Sequence, residues 1–203
     1  MTTEQATLFT PAGDSELLNQ LPFLPGLKDV LMLRQVHALE HATVWVLSET
    51  TSSAKNSSFA PTLTDNETLG GLSTEEGFYL YGEVPPEQLR RSVITALQRF
   101  RDGEWDLAVH PRCGTNVSVA LLLSAGLSLG SHLVLPKDPI TQLLGIGMGA
   151  SVASAMAPEV GQWVQKYLTT AVPFNLTLDK IYLTTDFWGR SANFVQLQWQ
   201  NLQ

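Results

Sequence analysis

The chain has 203 residues and a formal charge of -7, long enough for one domain with a real core or for a small domain plus a membrane hairpin. Charged residues make up only 15%, against about a quarter in an ordinary soluble domain, and the basic ones are few and scattered among acids, which excludes a nucleic-acid footprint. A single cysteine excludes an intramolecular disulfide and points to a reducing compartment.

Residues 1–26 are polar, are interrupted by Pro11, Gly13, Pro22 and Pro25, and read as a loose lead-in. They lack the basic start and apolar centre of a secretory signal, so the N-terminus is expected in the cytosol. From Leu27 to about Ser48 no Gly or Pro interrupts the pattern, and a helix of about five or six turns is expected. Val30, Leu33, Arg34, His37, Glu40, His41, Val44 and Ser48 share one stripe of it. Thr51–Thr68 is rich in Ser, Thr and Asn and reads as a flexible loop. Ser73-Thr74-Glu75-Glu76 marks a turn, and Gly77–Val84 (GFYLYGEV) a short strand. Pro85 and Pro86 precede an amphipathic helix from Glu87 to about Arg101, with Leu89, Val93, Leu97 and Phe100 on one face. Trp105–Val109 (WDLAV) alternates as a second strand would and delivers His110 and Cys113 at its end.

Between Arg112 and Lys137 lie 24 residues without a formal charge, and roughly 20 apolar residues suffice to cross a bilayer. Pro136-Lys137-Asp138-Pro139 makes a polar turn, and a second uncharged run follows from Ile140 to Pro158. Its small residues, with Gly145 and Gly149 in a GxxxG pattern, let two helices approach closely. Both runs also fit buried helices of a soluble core, being diluted by Ser and Gly; their length and the paired break favour a two-helix transmembrane hairpin. Arg90, Arg91, Arg99, Arg101 and Arg112 before it and Lys166 after it put both termini on the cytosolic side. Asn175–Trp199 reads as two or three strands, with a turn at Trp188-Gly189-Arg190, that pair with the earlier ones. The expected fold is α+β, a small cytosolic module of short strands and two helices bearing the hairpin. Its divisions are a lead-in at 1–26, a module at 27–115, a hairpin at 116–158, and 159–203 completing the module.

His37 and His41 stand four residues apart, so on a helix both imidazoles face one way and can grip a single metal ion. The order His-x-x-Glu-His is that of the inverzincin metallopeptidases, whose carboxylate works as general base on metal-activated water, a role that falls to Glu40. His110 and Cys113, in His110-Pro111-Arg112-Cys113-Gly114-Thr115-Asn116, are the candidates for further ligands. Four protein ligands would close the shell and make the site structural; three would leave an open position for catalysis. Singly, each of these residues also fits a packed interior, the histidines bonded to backbone and Cys113 an inert thiol. The reading is a membrane-anchored protein with a divalent metal, Zn2+ first, on His37 and His41 with His110 or Cys113; if it is an enzyme, the reaction is hydrolysis, in which Glu40 moves the proton and Arg112 steadies developing anionic charge. The alternative is a non-enzymatic scaffold or assembly factor with a structural metal site. His132, near the far end of the first run, reads as an interfacial or packing histidine.

The helix motif with a downstream HPRCGT segment running into an apolar span resembles the bacterial membrane-protein family typified by YqhQ. The segment LGGLSTEEGFYLYGEV and the C-terminal strands resemble a shorter cyanobacterial family of unknown function carrying the same two motifs. The resemblance implies a site at His37, Glu40, His41, His110 and Cys113 and a membrane setting, and no particular reaction; the membrane is expected to be plasma or thylakoid. The bilayer is the expected partner, with a protein partner or second copy on the small-residue helix faces.

Overall fold

The computed structural model describes residues 13–53 and 66–200. The chain divides at Ala108/Val109 and at Thr169/Thr170 into two compact units. Most of the segment read as a Ser/Thr-rich loop lies outside the described residues.

In the first unit a short helix α1 (Gly13–Gln20) precedes a long helix α2 (Leu27–Ser53). Helix α1 corrects the expectation of a lead-in without structure: buried amides hold it, since Gln35 donates to Asp14 and Asn175 donates to the Ser15 hydroxyl. From Gln35 to Ser48 every residue of α2 except His37 is buried, which makes it the central helix of the unit. Val30 and Leu33, at the start of the expected stripe, are exposed instead.

A hairpin of β1 (Gly70–Thr74) and β2 (Gly77–Tyr81) comes next. The Thr74 hydroxyl shapes its turn, donating to the Gly77 carbonyl and accepting from the Glu76 N–H. Strand β1 was not expected, because Gly70 and Gly71 carry no β propensity. Strand β2 stops before Val84, where Gly82 turns the chain at φ 111°. Helix α3 (Pro86–Arg101) starts with proline in its first turn and ends on Arg99 and Arg101, as its dipole favours. Its buried face of Leu89, Val93, Ala96, Leu97 and Phe100 joins Leu39 and Leu47 of α2 and Phe78 and Leu80 of β2 in one core, where each large side chain is worth about 1.5–3 kcal/mol.

Trp105–Ala108 is a 3-10 turn, not the expected strand. Leu107 and Ala108 are both buried, and the Leu107 N–H donates to the Glu104 carbonyl at 3.3 Å, a local turn bond in place of a neighbouring strand. The tail forms β3 (Leu176–Thr185) and β4 (Ser191–Trp199), giving an antiparallel sheet ordered β1-β2-β4-β3. The fold is α+β, and the expected pairing of the C-terminal strands with the earlier ones is seen in β2 against β4.

The second unit is a helical hairpin of α4 (Gly114–Val134) and α5 (Pro139–Val164), the latter continued by a π turn over Gln165–Thr169. The Cys113 sulfur caps α4 by accepting the Thr115 N–H, and Asp138 caps α5 by accepting from Thr141. Both helices are long and apolar enough to cross a membrane. Their outward residues, among them Leu122, Leu129, Leu133, Leu143 and Met148, are exposed. Where the helices meet, a Cβ on Gly149 would stand 3.2 Å from the Leu127 backbone carbon, so glycine permits the close approach.

Candidate metal centre

Helix α2 carries the first half of the candidate site. Its periodicity stacks His37 on His41, with ring centroids 4.4 Å apart at 63°, and a ring nitrogen of each lies within 4.8 Å of the other. His41 is buried and its Nδ1 sits 2.7 Å from the Ala108 carbonyl oxygen. A carbonyl only accepts, so Nδ1 carries the proton and the lone pair belongs to Nε2. That is the arrangement in which metal-binding imidazoles are held by a backbone carbonyl behind them.

Glu40 is buried on the same helix and faces the sheet. Its Oε2 accepts the Ser73 hydroxyl at 2.5 Å. Strand β1 passes so close that a Cβ on Gly71 would stand 2.1 Å from Oε1, which is why glycine occupies a strand position that otherwise disfavours it. Burial pushes the Glu40 carboxyl above its ordinary range, against the Ser73 hydrogen bond and the His37 charge, which pull it down.

His110, Arg112 and Cys113 lie in the second unit, on the loop leading into α4. The backbone N–H of Arg112 donates to His110 Nδ1 at 3.3 Å, so a neutral His110 carries its proton on Nε2. Binding a metal through Nε2 requires the other tautomer and the loss of this bond. Cys113 has no such conflict. Its sulfur is buried and accepts the Thr115 N–H at 3.4 Å, at the N-terminal end of a helix. The Arg112 side chain is exposed.

The loop is laced by two amides. Gln165 Oε1 accepts the His110 N–H at 2.9 Å, Gln165 Nε2 donates to Asn116 Oδ1 at 2.7 Å, and Asn116 Nδ2 donates to the Pro111 carbonyl at 2.7 Å. Sequence reasoning missed Gly71, Ser73, Ala108 and Gln165. The first three touch the site only through tertiary contact, and Gln165 lies 55 residues from the N–H it accepts. His132 shares a hydrogen bond of 2.7 Å with Gln142 near the hairpin turn.

An α+β unit bearing a buried His-x-x-Glu-His helix, interrupted by an apolar helical hairpin, defines a class of small protein with a candidate metal centre and two candidate spans. The chain belongs to the family described as a domain of unknown function, DUF6391, which it matches over residues 32–181. An uncharacterized protein of Picosynechococcus sp. (strain ATCC 27264 / PCC 7002 / PR-6) is 50% identical over 200 residues, covering 96% of this chain and 94% of the relative. No solved structure matches. The cyanobacterial likeness expected from the sequence is thus borne out, whereas the likeness to the YqhQ-typified family rests on the two motifs alone and neither match names it.

Proposed function

We propose that this chain is a membrane-anchored metal protein in which His37 and His41 share one divalent ion, Zn2+ by the chemistry of the donors, with Cys113. Imidazole nitrogen and thiolate sulfur together suit zinc better than a hard cation. The observation that carries the reading is the bond from His41 Nδ1 to the Ala108 carbonyl. It fixes the imidazole in a ligand tautomer, and it does so on a residue only five positions before Cys113. Five extended residues span at most about 16–18 Å, so the tether keeps Cys113 within that distance of the residue His41 bonds. The His110 tautomer supports Cys113 over His110 as third ligand and leaves a position open for water.

With an open position the chemistry is hydrolysis of a peptide or ester bond. The ion supplies Lewis acidity, Glu40 takes the proton of the attacking water, and a carboxyl pushed upward by burial is better matched to that task near neutral pH. Arg112 steadies negative charge developing on the substrate carbonyl. The second reading, a structural metal clasp in a membrane scaffold, has its own support: Glu40 is already bonded to Ser73 and wedged against Gly71, as a packing carboxylate would be.

The membrane reading rests on length, on exposed apolar faces, and on Trp163 and Tyr167, paired at 5.3 Å where α5 ends, as side chains of a lipid interface are. Lipid is accordingly the proposed partner of the outer helix faces, in a plasma or thylakoid membrane with both termini cytosolic. Metal analysis of detergent-purified protein tests the centre. Close to one zinc per chain is expected, lost in His37→Ala and retained in Glu40→Gln. Hydrolysis of an ester or peptide probe that disappears in Glu40→Gln supports the enzyme; full metal content with no effect of Glu40→Gln on any probe supports the clasp. Metal-free wild-type protein after growth with added zinc contradicts both.

A further inference from the structure

The loop that carries Cys113 is anchored by residues outside the His-x-x-Glu-His and HPRC motifs. Gln165 is fully buried, and both ends of its amide are used, on the His110 N–H and on Asn116 Oδ1. Asn116 completes the ring by donating to the Pro111 carbonyl. Together they fix the backbone at His110 and Pro111, just before Cys113, and do so from a residue three positions after it and from the far helix. An apolar side chain in place of Gln165 would leave the buried His110 N–H without its acceptor, a cost that general packing gives no reason to incur.

Two departures from regular structure serve this contact. Gly161 leaves the space that Asn116 fills: a Cβ there would stand 2.2 Å from Asn116 Oδ1. At Gln165 the helix changes to a π turn, a local widening frequent at functional sites. Amides often join helices that cross lipid, but this pair is spent on the loop as well, at the His110 N–H and the Pro111 carbonyl.

We infer that Gln165 and Asn116 are positioning residues that hold the His110–Cys113 loop in the conformation from which the Cys113 sulfur binds metal. The inference rests on the proposed metal centre and adds to it a second layer of residues that act through the ligand loop without touching the ion. Loss of a layer of this kind usually weakens metal binding about 10–100-fold.

Cobalt(II), added to the full-length protein in detergent, is the probe, because its thiolate charge-transfer and ligand-field absorption report sulfur ligation and geometry, which a merely structural role would not move. Gln165→Met removes the amide at nearly constant volume. Asn116→Asp keeps the acceptor for Gln165 and removes the donor to Pro111. The expected result is uptake with a thiolate band in the wild type, and binding weakened about 10–100-fold with an altered band in Gln165→Met at unchanged helicity. Asn116→Asp should shift the same way and decides the matter if Gln165→Met fails to fold. Variants that bind cobalt with wild-type affinity and spectrum overturn the positioning role and leave the metal centre standing. A wild type that takes up no cobalt overturns the metal centre and the positioning role together.

Discussion

Asp186 takes four donors on two oxygens: Oδ1 accepts the N–H groups of Trp188 and Arg190, and Oδ2 accepts the Tyr81 hydroxyl at 2.7 Å and Arg190 Nε at 2.7 Å. The Arg190 guanidinium also lies 4.4 Å over the Tyr81 ring. Burial pushes the Asp186 carboxyl up, but the Tyr81 hydroxyl, the Arg190 groups and the Trp188 N–H outweigh it and bring the carboxyl down to about 2. Tyr81 is pushed up to about 12 by burial and by the same hydrogen bond. A depressed carboxyl stabilises the fold above its unfolded value of 3.8, and that contribution fades as pH falls toward about 2. Urea unfolding of wild type and Asp186→Asn across that window should show the wild type losing more stability on acidification than the variant. Equal slopes would mean the carboxylate does not hold the turn. At this scale the His37, Glu40 and His41 face was legible, because helix periodicity is local. The neighbours that tune it, Ser73 on β1 and Ala108 in the 3-10 turn, were not, because only the folded sheet and turn bring them to α2.

Elements marked by an unbroken pattern were legible: α2 by its freedom from Gly and Pro, although it runs past Ser48 to Ser53, α3 by its apolar period, and the two apolar runs by length without charge. Trp105–Ala108 misled because four residues cannot separate alternation from a 3-10 turn, and Gly71 hid a strand whose glycine exists to admit Glu40. Helix α1 was masked by its own polarity, since its anchors are hydrogen bonds from Gln35 and Asn175 and not an apolar face. In the hairpin, Gly149 faces the Leu127 and Ser128 backbone of α4, which has no room to give, whereas Gly147 has nothing within 4 Å of its Cβ position. Gly149→Val should therefore cost about 1–3 kcal/mol of hairpin stability, read as lost helicity on titration with a denaturing detergent, while Gly147→Val stays close to wild type. Equal loss in both would show that helix propensity, and not interhelical contact, dominates there.

At the level of the whole molecule, the first unit is assembled from two stretches of chain, and α2 holds both points where the second unit departs and returns. His41 bonds Ala108, the last residue before the departure, and Arg34 binds the Thr170 carbonyl through Nη2 and the Ala171 N–H through its own carbonyl. The two anchors are seven residues apart on α2, about 10 Å along its axis. The uneven charge of the sequence follows this division, because the first unit carries 17 acidic residues against 9 basic ones and the second 2 against 3. The same helix that organises the first unit also presents the imidazoles and bonds Ala108, five residues before Cys113, and from this grows the proposal of a metal ion shared with Cys113. X-ray absorption at the zinc edge of the full-length, zinc-loaded protein tests it most directly. The expected shell has imidazole nitrogen at about 2.0–2.1 Å and one sulfur at about 2.3 Å, the sulfur vanishing in Cys113→Ser. A shell of nitrogen and oxygen alone, unchanged by Cys113→Ser, would contradict it.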